Sequence, residues 1–114
     1  MQQGLMIIRW TKSQPDSHVE AMRLADDTNA YVLGLKEKGV VAGHEWIANI
    51  TGEDGGMFIL RGDLGALMGV ASSPEFGELH LRGVLHLERW RWDLAFAGDV
   101  IDEIYPGWRE LVGG

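Results

Sequence analysis

Residues 40–61 read VVAGHEWIANITGEDGGMFILR, two apolar runs around a loop dense in turn formers. In the first run, 40–50, alternation puts Val40, Ala42, His44, Trp46, Ala48 and Ile50 on one side. Val41, Glu45, Ile47 and Asn49 take the other, the period-two pattern of a strand. Thr51-Gly52-Glu53-Asp54-Gly55-Gly56 suits a hairpin connection. The second run, MFILR at 57–61, is apolar on both sides and predicts a central strand antiparallel to the first. A hairpin therefore sits at the middle of the chain, and the fold depends on what flanks it.

On the N-terminal side, LMIIRW at 5–10 predicts another strand. Ser17-His18-Val19-Glu20 fits an S-x-x-E capping box opening a helix over about 18–38. Its stripe is Ala21, Leu24, Ala25, Thr28, Tyr31, Val32 and Leu35, and Gly39 is the expected left-handed stop. On the C-terminal side, Asp63 is the expected N-cap of a helix with Leu64, Leu67, Met68 and Ala71 inward. Ser72-Ser73-Pro74 interrupts that helix, and Pro74-Glu75-Phe76 starts another turn.

A last strand is expected within 84–97, VLHLERWRWDLAFA, although its apolar residues are out of phase. Leu85 and Leu87 are odd, whereas Trp90, Trp92, Leu94 and Phe96 are even, so either a bulge falls near Glu88 and Arg89 or both faces are buried. Residues 98–114 keep Val100, Ile101, Ile104, Tyr105 and Trp108, too apolar for a loose end, and predict a tail that docks.

The order β-α-β-β-α-β predicts a single α+β domain over 1–114 of ferredoxin-like type, with two helices on one face of an antiparallel sheet. The other face would expose some of Met6, Trp46, Ile59 and Trp92, and a second copy closing sheet on sheet is the expected remedy. The helix ending LGLKEKG (33–39), the stretch 43–60 and the segment DLGALMGVASSPEFGELHLRGVLHLE (63–88) resemble the dimeric α+β-barrel superfamily. That group includes muconolactone isomerase-like proteins and antibiotic-biosynthesis monooxygenases. The resemblance implies a homodimer with a pocket between sheet and helices, and brings no catalytic residue with it.

Composition narrows the functions. The 114 residues carry a net charge of −7, which opposes a nucleic-acid surface. No apolar run is long enough to span a bilayer, and the start lacks the pattern of a signal peptide. The absence of cysteine fits a reducing compartment, so the cytoplasm is the expected location. The third strand lacks the aromatic signature of RNA-recognition motifs.

The candidate site residues are His44, Glu45 and Trp46 on the first hairpin strand, with His86, Trp90 and Trp92 in the last predicted strand. An imidazole and an indole sharing a face could meet a planar ligand and shuttle a proton, whereas a histidine satisfied by one hydrogen bond needs no function. The tryptophans of Arg89-Trp90-Arg91-Trp92 suit core, interface or pocket wall, with the arginines paired to carboxylates. No spacing among His44, His80 and His86 matches a metal site, and no cofactor motif is present. Asp16 and His18 are read as part of a helix start, although an Asp-x-His pair could exchange protons. The first expectation is a homodimer binding a small apolar or aromatic molecule. A cofactor-free isomerase, cyclase or monooxygenase with His44 or His86 as proton shuttle is the alternative, and a purely structural module is the third.

Overall fold

The computed structural model describes residues 3–113. The elements run β1 (Gln3–Trp10), α1 (His18–Glu37), β2 (Gly43–Ala48), β3 (Gly56–Asp63), α2 (Leu64–Ala71), α3 (Pro74–His86), β4 (Arg91–Phe96) and α4 (Val100–Leu111). The strands form one antiparallel sheet in the order β2-β3-β1-β4, the ferredoxin-like arrangement. The central position expected for residues 57–61 holds.

Register fixes the faces. Met6 opposes Leu60 and Leu94, Ile8 opposes Phe58 and Trp92, and Trp46 opposes Phe58, so all of these point toward the helices. All but Trp46, which is 41% exposed on the edge strand, meet Val32 of α1, Leu67 and Val70 of α2 and Phe76 of α3 in one core. Of the residues expected on the open face, Ile59 alone lies there. Met6, Trp46 and Trp92 are one residue out of phase with Ile59, and a shift of one position reverses the face. The open face instead carries Leu5, Ile7, Ile47, Met57 and Ile59. Ion pairs Arg9–Asp93 (2.9 Å) and Arg61–Glu45 (3.0 Å) edge it.

Among the described residues, two of the four helix N-termini are capped by side chains, whereas Ser17 of α1 and Asp99 of α4 make no side-chain cap bond. Asp63 accepts from the Ala66 N–H at 3.1 Å and Ser73 from the Phe76 N–H at 3.2 Å, with Pro74 in the first turn of α3. Gly39, at φ 76°, closes α1: its N–H reaches Lys36 O, and the Val40 N–H reaches Leu35 O. The expected capping box does not form, because the Ser17 side chain makes no cap bond and meets His86 Nδ1 at 3.2 Å.

The turn expected at 74–76 continues as a 13-residue helix, α3, that absorbs residues 84–86. Leu85 therefore belongs to a helix and Leu87 to an isolated bridge with Ser13, while Arg89 turns the chain at φ 56°. Only 91–96 is strand, which removes the phase conflict. His86, expected in the last strand, is instead the last residue of α3.

The tail forms α4, whose Val100, Ile101, Ile104, Trp108 and Leu111 make one stripe. Val100 is buried, but Trp108 and Leu111 are 51% and 85% exposed, and α4 touches the other elements only sparsely. The radius of gyration is 15.8 Å, against about 13 Å for a compact chain of this length.

Candidate functional site

A cavity of about 240 Å³ lies between the helix-side face of β1, β2 and β3 and the inner faces of α1 and α3. Its sheet wall is Ile8, Trp10, Trp46, Phe58 and Leu60; α1 contributes Ala21, Met22, Leu24, Ala25, Thr28, Tyr31 and Val32. Phe76, Leu79, Leu87 and Trp90 close it from the α3 side, and Ser13 reaches it from the β1–α1 loop. The α1 residues are largely the stripe the sequence presents, so one helix face serves as both core and wall.

Aromatic contacts set the shape. Trp46 stacks on Phe58 with ring centres 4.1 Å apart, and Trp10 meets Trp46 edge-on at 6.2 Å. Trp90 lies against His80 at 4.7 Å and Phe76 at 6.4 Å. Gly83 makes that seat possible, since a Cβ there would sit 2.5 Å from the Trp90 ring.

Three of the wall's polar side chains are engaged within the chain. The Trp46 indole N–H donates to Asn29 Oδ1 at 3.2 Å, and the Tyr31 hydroxyl meets Ser73 Oγ at 3.2 Å. Ser13 Oγ lies 2.7 Å from Nδ1 of His18, whose side chain is exposed. Sequence reasoning passed over Ser13, because its position depends on a bridge to a residue 74 positions away, Leu87.

Of the six sequence-predicted site residues, Trp46 and Trp90 line the cavity. Trp92 packs edge-on against Phe76 at 5.3 Å. Glu45 is on the opposite face, paired with Arg61. His44 is beside Phe58 at 5.7 Å, and its enclosed Nδ1 meets no protein partner among the described residues. His86 bonds Ser17, and neither histidine is part of the cavity wall. Among the described residues, no three His, Asp or Glu side chains gather as a metal site would require.

The arginines flanking Trp90 hold the hairpin loop. Arg91 donates two bonds to the Asp54 carboxylate (3.1 and 2.8 Å), and Arg89 donates to Glu53 at 2.6 Å. The Arg91 hydrogen bond holds the Asp54 carboxyl below its usual range against an opposing desolvation effect, and the guanidinium of Arg91 is raised in turn. Gly55 and Gly56 permit the close approach: a Cβ at Gly55 would lie 2.5 Å from Thr11 O, and one at Gly56 2.9 Å from Ile47 O.

Fold and site together define a ferredoxin-like α+β domain with an apolar chamber under its helices. No protein-family model and no curated protein matches the sequence. Solved structures do match in shape. A dimeric protein of unknown function with a ferredoxin-like fold from Bacteroides fragilis is 14% identical, with a TM-score of 0.59 over 83% of this chain and 96% of that one. A hydroxynitrile lyase from Passiflora edulis is 8% identical, with a TM-score of 0.67 over 86% and 95%. A dabb-family protein with a ferredoxin-like fold from Mesorhizobium loti is 14% identical, with a TM-score of 0.58 over 86% and 99%. The expected likeness to dimeric α+β-barrel proteins therefore holds at the level of fold.

Proposed function

We propose that the protein is a homodimer that binds a small apolar or aromatic molecule in the cavity between sheet and helices. The observation behind the binding reading is the chamber itself: about 240 Å³, partly open to solvent beside Met22 and Trp46, and lined by tryptophan, phenylalanine, methionine and aliphatic side chains with few polar groups. A solidly packed layer would instead have favoured a purely structural module. The relatedness in fold to a hydroxynitrile lyase allows that such a scaffold can host chemistry on a small molecule. Binding is preferred over an isomerase, cyclase or monooxygenase using His44 or His86, since neither imidazole reaches the chamber.

The homodimer rests on surface left over. The chain exposes 7319 Å², roughly a sixth more than the ~6,200 Å² expected of a monomer of this mass. That excess is of the order one partner buries in an ordinary interface. It includes the open sheet face, with its apolar centre and ionic edge, and the uncovered stripe of α4. Among the described residues no helix is long and apolar enough to cross a membrane. The cytoplasm is the proposed compartment.

Titration of ¹⁵N-labelled protein with naphthalene tests the binding reading. The indole N–H signals of Trp10, Trp46 and Trp90 should shift while that of Trp108 stays in place. Unmoved indoles up to the solubility limit of naphthalene would reject a ligand chamber. Light scattering coupled to size exclusion tests the dimer, and a single-chain mass at micromolar concentration would reject it.

A further inference from the structure

We infer that the molecule held in the cavity bears a hydroxyl group (an alcohol, phenol or enol on an apolar body) and that Ser13, backed by His18, is the group that recognises it. This rests on the ligand-binding reading above and names the chemistry of that same site. Apart from the Thr28 hydroxyl, the other polar side-chain groups of the wall can act toward a ligand in one sense only. Tyr31 commits its proton to Ser73 Oγ, which itself donates to Val70 O, and can only accept from a ligand. Trp46 donates to Asn29, and the Trp10 and Trp90 indoles can only donate. Ser13 Oγ, with His18 Nδ1 at 2.7 Å, can act in either sense.

A serine hydroxyl has one proton and two lone pairs, so one bond to the imidazole leaves capacity on the cavity side. If Nδ1 accepts, the Ser13 proton is committed and only its lone pairs remain, which call for a donor. If Nδ1 carries the proton, Ser13 is free to donate and calls for an acceptor. A hydroxyl serves in both cases, a carbonyl or ether in only one.

The backbone fixes Ser13 where this requires. It is bridged to Leu87, itself part of the wall, and the next residue's N–H donates to His86 O at 2.8 Å. Asp16, at φ 63°, then turns the chain so that His18 comes back beside Ser13 as the first residue of α1. The imidazole is exposed, so a proton passed from ligand to Ser13 and on to His18 has a path to water. Thr28 supplies the competing hydroxyl of the wall and is the natural control.

The experiment compares naphthalene with 1-naphthol, which share an apolar body and differ by one hydroxyl, by chemical-shift titration of the wild type and three variants. The wild type should prefer 1-naphthol by about three- to tenfold, the worth of one net hydrogen bond. Ser13→Ala should erase that preference while leaving naphthalene affinity unchanged. His18→Ala should reduce it, and Thr28→Val should leave it intact. Equal affinities in the wild type, or a preference that survives Ser13→Ala or vanishes in Thr28→Val, would overturn the inference while the chamber stands. Failure of naphthalene itself to bind would remove the chamber, and the inference with it.

Discussion

Two stretches of this chain combine tryptophan with arginine and acidic residues, and they end in opposite circumstances. Residues 89–93, RWRWD, lead from the turn at Arg89 into β4, where Trp92 faces the helices and Arg91 the other side. Trp90, just before the strand, packs on α3. Each class finds partners within the chain: Phe76, His80 and Gly83 for the rings, Glu53 and Asp54 for the guanidinia. Residues 105–110, YPGWRE, lie in a helix whose apolar residues form one stripe with almost nothing opposite. Composition is alike in the two; what differs is whether the fold brings a complementary surface to the right distance. The first stretch is a finished piece of the monomer. The second asks for something outside it.

The contrast is broken most sharply by removing one tryptophan from each. Trp90→Ala should destabilise the chain by about 3 kcal/mol through lost area and an enlarged cavity, read as a fall in the urea midpoint. Trp108→Ala should change the stability of the isolated chain by less than about 0.5 kcal/mol. It should instead weaken self-association by roughly 30-fold, as expected for a tryptophan at the centre of an interface. Unfolding losses of similar size in both variants would show that α4 is packed against its own chain after all.

A smaller change sharpens the point. At Gly83, alanine would ordinarily favour the helix by up to about 1 kcal/mol. Here the added Cβ would come within 2.5 Å of a rigid indole rather than a flexible chain end. Gly83→Ala should therefore be net destabilising by about 1–2 kcal/mol and should weaken naphthalene binding by displacing Trp90 from the wall. Gly77→Ala is the matched control, because nothing lies within 4 Å of a Cβ at that helical glycine. A stabilised Gly83→Ala protein would mean that Trp90 is not seated on α3.

Gly83 also marks where the sequence stops being legible. The hairpin at 43–63, the stripe of α1, the cap at Asp63, the turn opened by Pro74 and the Gly39 stop are all local signals, decided by neighbours within a few residues. From them the order of elements could be read, and with it the sheet. Two things could not. Leu85 and Leu87 fit a strand as well as a helix end, and α3 won because Phe76, Leu79 and Gly83 bury one of its faces, a tertiary effect. The faces of the strands also depend on register, so Met6 and Trp92 went to the core while Ile59 stayed on the open side. For the site, tryptophan content pointed to Trp46 and Trp90. Ser13 and His18 are joined by a turn at Asp16 and a bridge to Leu87 that no local pattern announces.

The smallest effect concerns the arginines of the finished stretch. Asp54 is held below the ordinary carboxylate range chiefly by the hydrogen bonds from Arg91, with the fields of Arg91, Arg89 and Arg9 adding and desolvation opposing. A group whose carboxyl is depressed on folding adds stability above its unfolded value, near pH 4, and loses it as pH falls through the folded value. Asp54→Asn should therefore melt below the wild type at neutral pH, and the gap should shrink steadily toward pH 3. Added salt should shrink it too, since the pair is near the surface. The absence of a gap at neutral pH would mean that the loop is held by the Gly55 N–H bonds to Trp10 O and Thr11 O alone. The same substitution should leave self-association unchanged, because Asp54 completes a contact inside one chain whereas Trp108 lacks one.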